Sequence, residues 1–286
     1  MHMTIHDLVQ GARDRFVQAG ISANSASIDA EVLARQVLGW DPARFLADRH
    51  EQASSAFLLN YEHVVARRTR REPISYITGT REFWGLDFEV TPDVLIPRHE
   101  TELVVEEALE RLEKDSHPLI VDVGTGSGCL AVVLAREVPG ARVIATDLSA
   151  GALRVARRNA VRHGVADRVT FVETSFMHGI EEAADLIVSN PPYVPTVSAP
   201  GLTPEVRDYE PSVALFGGED GLEGLRRVLG ESVARLVPGG WLIMEFGYGQ
   251  EDHVSALVAE HPELQLVTIR RDLQDIPRTA VIRRAA

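Results

Sequence analysis

Leu119-Ile120-Val121-Asp122-Val123-Gly124-Thr125-Gly126-Ser127-Gly128 is the stretch whose reading decides the fold. Its first half is a short, almost wholly apolar run, the pattern of a parallel strand buried on both faces. Its second half is a glycine-rich turn, and Cys129–Glu137 reads as the helix that this turn opens. Glycines there let the backbone approach a ligand closely, and a helix N-terminus presents N–H groups to it. Outward from this unit, strands are predicted at Arg142–Thr146, Val169–Val172, Ala184–Ser189, Gly240–Phe246, Leu264–Ile269 and Ala280–Arg283. Helices are predicted between them at Ala150–His163, Gly221–Leu236 and Gln250–Glu260. Strand–helix alternation implies an α/β fold, a mostly parallel sheet with helices on both faces. The last two strands follow each other closely and are expected to form an antiparallel edge.

A glycine turn of this kind is weak evidence alone, because NAD enzymes use a related one. The next strand ends in Ile144-Ala145-Thr146-Asp147, about twenty residues on, where an acid can accept hydrogen bonds from two ribose hydroxyls. NAD and S-adenosylmethionine satisfy that equally well. The sulfonium ligand has no pyrophosphate, and the acids Asp122 and Asp147 suit a cationic cofactor better. The plainer alternative makes Asp147 a helix cap.

The fourth strand, Ala184–Ser189, runs into Asn190-Pro191-Pro192-Tyr193. Two prolines stiffen the chain and remove two backbone donors, leaving carbonyl oxygens without competing N–H groups. Asn190 adds an amide oxygen and Tyr193 a flat ring, a combination suited to a planar nitrogen such as a carboxamide, guanidine or base amine. Taken alone, Asn-Pro-Pro is equally a turn after a strand. Its position argues for more. Ligands of open α/β sheets sit at the carboxyl ends of strands near the switch in strand order, so all three motifs are expected to converge on one crevice. The Pro-rich stretch from Val194 to Gly218 lacks periodicity, and so long a loop is more often functional than idle.

At 286 residues the chain suits one large domain plus a small one, and 45% apolar and 25% charged residues are ordinary for a soluble globular protein. No apolar run approaches ~18 residues, so no membrane span is expected. The first residues lack a basic region followed by an apolar core, so no secretory signal is expected, and Met1-His2 reads as an expression scar. Cys129 is the only cysteine, which excludes an internal disulfide, fits a reducing cytoplasm and reads as a small packed residue. The ten histidines show no metal-ligand spacing, and no metal is expected. A net charge of −13 argues against gripping a nucleic-acid backbone. Lys114 is the sole lysine.

Thr4 to about Arg71 reads as all-helical. Leu8, Ala12, Phe16 and Ala19 mark a first helix; Ser25 or Ser27 is expected to cap a second, ending at Gly39. Asp41-Pro42 opens a third and Ser54 a fourth, whose basic end, Arg67 to Arg71, reads as a solvated face suited to a helix C-terminus. The other reading of that end is a contact for an acidic or RNA-bearing partner. Pro73–Gly79 reads as a linker, Arg81–Val90 as a β-hairpin, and His99 to Glu102 as the start of a further helix.

With these motifs on view, the chain resembles the HemK/PrmC family, the protein-(glutamine-N5) methyltransferases that modify peptide chain release factors. The resemblance covers nearly the whole chain. It rests on residues 71–79, 82–85, 95–102 (Leu-Ile-Pro-Arg-His-Glu-Thr-Glu), 122–128, 189–193, 204–206, 209–211 and 217–222. The Asn-Pro-Pro-Tyr motif is shared with adenine and guanine amino methyltransferases; the segment around Pro97-Arg98 and the helical N-terminal region are far more specific.

The resemblance implies a Rossmann-like S-adenosylmethionine-dependent methyltransferase domain with a seven-stranded sheet over 98–286, a β-hairpin linker over 73–97, and a small all-helical domain over 1–72 that binds the release factor. It implies a cofactor site of Arg98, Thr101, Asp122, Gly124, Thr125, Gly126, Gly128, Asp147, Leu148, Ser175, Phe176 and Asn190, with S-adenosylhomocysteine as product. It makes Asn190, Pro191 and Tyr193 the catalytic group and Asn190 to Tyr193 the wall that holds the glutamine amide. It further implies a cytoplasmic monomer with no direct nucleic-acid or membrane partner. Two departures stand out: His99 where the family usually has Pro, and Ser175 where it usually has an acid near the adenine amine. They motivate a rival reading, a relative acting on the guanidine of free arginine or on a small-molecule amide. A nucleic-acid amino methyltransferase and a non-catalytic binding module are the other rivals; the acidic charge counts against the first, and intact Asn190, Tyr193 and Asp147 against the second.

Overall fold

A computed structural model describes residues 3–113 and 117–286; Met1-His2, read above as a scar, and Lys114 lie outside the described residues. Five helices come first: α1 (Ile5–Gln18), α2 (Ala23–Leu38), α3 (Pro42–Asp48), α4 (Ser55–Thr69) and α5 (Ile74–Thr78). A hairpin of β1 (Thr80–Phe83) and β2 (Leu86–Glu89) follows. Then come α6 (Glu102–Arg111), β3 (Leu119–Val123), α7 (Cys129–Glu137), β4 (Arg142–Asp147), α8 (Ala150–Arg162), β5 (Val169–Glu173) and β6 (Ala184–Ser189). The chain ends with α9 (Pro204–Tyr209), α10 (Ser212–Leu215), α11 (Glu223–Arg235), β7 (Leu236–Glu245), α12 (Glu251–Ala259), β8 (Leu264–Arg271) and β9 (Pro277–Arg284). None of the described helices is long and apolar enough to cross a membrane.

The chain divides into two compact units, one of residues 1–79 with Thr203–Tyr209, the other of Thr80–Leu202 with 210–286. In the helical unit, apolar positions three and four apart bury Phe16, Leu33, Phe57, Tyr61 and Val65 in one core. Ser22, not Ser25 or Ser27, caps α2: its hydroxyl accepts the Ser25 N–H at 3.2 Å, while Ser27 donates back to the Ala23 carbonyl. Pro73–Gly79, expected as a linker, contains α5, closed by Gly79 in the left-handed conformation.

The basic end of α4 is a solvated face only at Arg70, which is exposed; its neighbours are paired. Arg67 pairs with Glu72 at 2.5 Å. Buried Arg68 donates to Asp29 at 2.7 Å and to Glu205 at 2.9 Å, and Arg71 grips Glu205 at 2.6 Å. Arg71 also donates to the Ala19 and Gly20 carbonyls. For Arg68 and Arg71, acids far away in sequence therefore consume charges that local spacing assigned to solvent.

In the second unit the sheet order is β5-β4-β3-β6-β7-β9-β8. Pairings from β5 to β7 are parallel, whereas β9 pairs antiparallel with both β7 and β8. Strand periodicity splits the core: Ile120, Leu186 and Ile243 face the layer of α6, α7 and α8, while Val121, Ile187 and Leu242 face α11 and α12. The loop after β6, read as lacking periodicity, carries two short helices and a 3-10 turn at Thr196–Gly201. It closes on itself through Val194, whose N–H meets the Leu215 carbonyl and whose carbonyl meets the Gly217 N–H.

Candidate active site

Strand order reverses between β3 and β6, which are neighbours. Their register pairs Val123 with Ser189, and β3 pairs Val123 with Thr146 of β4. The glycine turn, Asp147 and Asn190 thus leave the sheet at one level, and a cavity of about 300 Å³ opens there. Its wall includes Arg98, Thr101, Gly124, Thr125, Gly126, Asp147, Leu148, Ser175, Phe176, Asn190, Pro191 and Pro192. Asp122, Gly128 and Tyr193 stand behind that wall rather than on it.

The turn is built by the sheet. The N–H groups of Gly124 and Thr125 both donate to the Thr146 carbonyl, at 2.9 and 2.8 Å, and Gly126 N–H donates to Asp147 Oδ2 at 2.9 Å. N–H groups that the sequence offered to a ligand are thus committed inside the protein. Asp122, 1% exposed, braces the turn from beneath: its Oδ2 accepts the Thr125 hydroxyl at 2.6 Å and the Ala131 N–H at 3.1 Å. Its Oδ1 has no partner among the described residues, and burial pushes the carboxyl up to about 7. A Cβ at Gly128 would stand 3.0 Å from Ala156 Cβ, so this glycine lets α7 and α8 approach. Burial also raises the Asp147 carboxyl, against the backbone N–H groups of Ser149, at 2.8 Å, Gly126 and Leu148.

Leu148 is 60% exposed and gives the cavity an apolar rim. Phe176 holds φ at +52°, a strained value for a bulky residue, with the Arg227 guanidinium 4.5 Å from its ring centroid. Arg98 reaches the wall held by Glu210 at 2.5 Å, and Glu210 also accepts the Ile96 N–H. Cys129 is buried and lines the cavity, its thiol pushed up to about 12 by burial.

The Asn190–Tyr193 segment is clamped from behind. Tyr193, expected beside the acceptor amide, turns its hydroxyl onto Glu245 at 2.8 Å. Its carbonyl accepts from Gln250 Nε2 at 3.0 Å. Gly217, Gly221 and Gly224 press on the same segment. A Cβ at Gly217 would meet the Pro192 carbonyl at 2.4 Å, and one at Gly221 the Tyr193 carbonyl at 2.3 Å.

Nothing in the local sequence marks a role for Glu210, Glu245 or Gln250. The signal that could have found Glu245 is its place at the C-terminal end of a predicted parallel strand, where functional groups of this architecture gather. Histidine spacing suggested no metal site, yet Glu82, His99 and Glu102 bring ligand atoms within 4.8 Å of one another. Both acids also serve the hairpin turn, Glu82 accepting the Gly85 N–H and Glu102 the Trp84 N–H.

A family model described as the PrmC N-terminal domain matches residues 7–79, and one described as the methyltransferase small domain matches residues 101–200. A release factor glutamine methyltransferase from Geobacter sulfurreducens is 44% identical over 252 residues, 88% of this chain and 87% of that protein. One from Nitratidesulfovibrio vulgaris is 39% identical over 99% of this chain and 96% of its own. The chain belongs to the release factor glutamine methyltransferase family.

The first match ends at Gly79, where the helical unit gives way to the hairpin. The family's methyltransferase fold is shared widely. A methyltransferase from Pyrococcus furiosus superposes with a TM-score of 0.55 at 18% identity, covering 77% of this chain and 99% of that one. A Thermus thermophilus 16S rRNA N2 G1207 methyltransferase, in complex with AdoMet and guanosine, gives 0.51 at 17%, over 72% of this chain and 50% of its own. At such identities the likeness is one of fold alone.

Proposed function

We propose that the protein transfers a methyl group from S-adenosylmethionine to the side-chain amide nitrogen (N5) of the glutamine in the Gly-Gly-Gln loop of peptide chain release factors. The observation that carries this reading is one cavity that joins the glycine turn and Asp147 to the Asn190-Pro191 wall, in a chain 44% identical to a release factor glutamine methyltransferase. A protein acceptor, a monomeric enzyme, a cytoplasmic setting and no direct nucleic-acid contact are parts of the same proposal.

The donor set fits a nucleoside sulfonium better than a dinucleotide. Three turn N–H groups already serve Thr146 and Asp147, leaving a poor cradle for a pyrophosphate. Asp147 is a desolvated acid that ribose hydroxyls would satisfy, and Leu148 offers an apolar surface to a base. Gly124, Thr125, Gly126, Asp147, Leu148, Ser175 and Phe176 would hold the group, with Asp122 and Gly128 supporting from behind. Bound there, S-adenosylmethionine supplies a methyl on an already activated sulfonium, with S-adenosylhomocysteine as product.

The chain's own contribution is orientation and polarisation. An amide nitrogen is a poor nucleophile because its lone pair is delocalised into the carbonyl. Asn190 Oδ1 and the Pro191 carbonyl accept its two N–H protons and draw electron density onto nitrogen as positive charge develops. Fixing nitrogen and methyl carbon in line contributes roughly 7–11 kcal/mol at best. The proton leaves after transfer, so no strong general base is required.

The first experiment is methyl transfer from labelled donor to purified release factor, to its loop Gln→Ala variant, and to free amino acids including arginine. Label on the wild-type factor alone is expected. Label on a small molecule but not on the factor would overturn the proposal. Asn190→Ala should lower kcat by roughly 100- to 1000-fold; full kcat in that variant would refute the role given to Asn190.

A further inference from the structure

Glu245 ends β7, whose register with β6 pairs Met244 with Ser189, so it stands one position from the strand end that carries Asn190. It is 1% exposed, yet both carboxylate oxygens are engaged. Oε2 accepts the Thr101 hydroxyl at 2.6 Å, and Oε1 accepts the Tyr193 hydroxyl at 2.8 Å. Both hydroxyls donate to this carboxyl, Thr101 to Oε2 and Tyr193 to Oε1, and that sets the direction of both bonds. Thr101, 2% exposed, owns a single hydroxyl proton and spends it on Glu245. Toward its other neighbour it can only accept. That neighbour is Asn190 Nδ2, at 3.0 Å.

The order of donors therefore settles which way the Asn190 amide faces. Its NH₂ must turn inward to Thr101, and its Oδ1 is left to the cavity. Reversed, the amide would set two lone pairs against each other behind the wall and a donor in front of it. We propose that Glu245 and Thr101 are positioning residues that lock the Asn190 amide with its oxygen toward the acceptor, so that the site selects a planar group bearing two N–H donors. This rests on the reading that Asn190 holds the acceptor amide. It gives Tyr193 a place as well: its hydroxyl donates to the second oxygen of Glu245, which works against the effect of burial on that carboxyl and holds it turned toward Thr101. The lock crosses three segments, the turn before α6, the end of β6 and the end of β7, and none of the spacings between them reveals it.

The test compares Thr101→Val, Thr101→Ser, Glu245→Gln and Asn190→Ala in the full-length enzyme with purified release factor. Valine keeps the shape of threonine and removes the acceptor; serine restores the hydroxyl. Thr101→Val should lower kcat roughly 10- to 100-fold, the cost of a misoriented group in a positioned reaction. Its Kd for S-adenosylhomocysteine should stay within about 3-fold, as for an interaction that binds ground and transition states differently. Thr101→Ser should recover most of the lost kcat, and Glu245→Gln should lower kcat as Thr101→Val does. Should the valine variant fail to fold, the comparison of Glu245→Gln with wild type carries the same test. Wild-type kcat in Thr101→Val or Glu245→Gln, alongside a crippled Asn190→Ala, would overturn the lock while leaving the role of Asn190 standing. Wild-type kcat in Asn190→Ala as well would remove the underlying reading instead. A loss in Thr101→Val expressed only as weaker S-adenosylhomocysteine binding would make Thr101 a cofactor contact and likewise overturn the lock.

Discussion

Asp122 shows how one residue can brace a site and titrate because of it. Its carboxyl is raised by burial to about 7, with the nearby Asp147 charge adding to the shift, against ~3.9 in an unfolded chain. Between pH ~4 and 7 the folded protein therefore holds a proton that the unfolded chain has released, and this group's contribution to stability falls as pH rises. Asp122→Asn keeps an oxygen for the Thr125 and Ala131 bonds and places its NH₂ where Oδ1 has no partner. Thermal unfolding of both proteins from pH 4 to 8 should show wild type losing Tm relative to the variant as pH rises. The raised carboxyl of Glu245 remains in both proteins and cancels in the difference, whereas the repulsion between Asp122 and Asp147 is part of what the difference reads. A Tm difference independent of pH would contradict the assignment.

Among the elements, the loop between β6 and α11 does more than connect. Its glycines exist because backbone passes where a side chain would stand. Gly221, at φ +73°, lies beneath the Tyr193 carbonyl, and Gly217 beneath that of Pro192. Gly217→Ala or Gly221→Ala must push that carbonyl row away, at about 1–3 kcal/mol of overpacking strain. The displaced groups adjoin the Pro191 carbonyl, so kcat should fall as well. Chemical denaturation and steady-state assays on the two variants check this, and unchanged stability would show that the segment yields freely. The β1–β2 hairpin has a similar economy. Trp84 and Gly85 both adopt positive φ in a two-residue turn, and Glu82 and Glu102 take up the freed N–H groups.

At the scale of the molecule, the chain makes its helical unit from two separate pieces. Thr203–Tyr209 groups with residues 1–79, and Glu205 is its anchor, shared between Arg68 and Arg71. Removing one partner of a buried ion pair costs about 3–5 kcal/mol, and less where a second acid remains, as Asp29 does for Arg68. Glu205→Ala should thus loosen this segment, read as faster tryptic cleavage after Arg207 and a lower Tm; an unchanged cleavage rate would sink the anchor. The sequence by itself determined the strand–helix order, the all-helical start, the glycine turn, the acid ending β4 and the stiff Asn-Pro-Pro-Tyr after β6. Those features follow from period, turn chemistry and backbone restriction, which act over a few residues. Tertiary structure alone decided that β3 lies beside β6, and hence that three motifs share a cavity. It also decided that Tyr193 faces Glu245, that Arg68 and Arg71 are spent inside the helical unit, and that Asp122 and Gly128 work from behind the wall. The physical reason is the same in each case: a buried polar group takes whichever partner the packing brings within about 3 Å, and chain spacing carries no record of that choice.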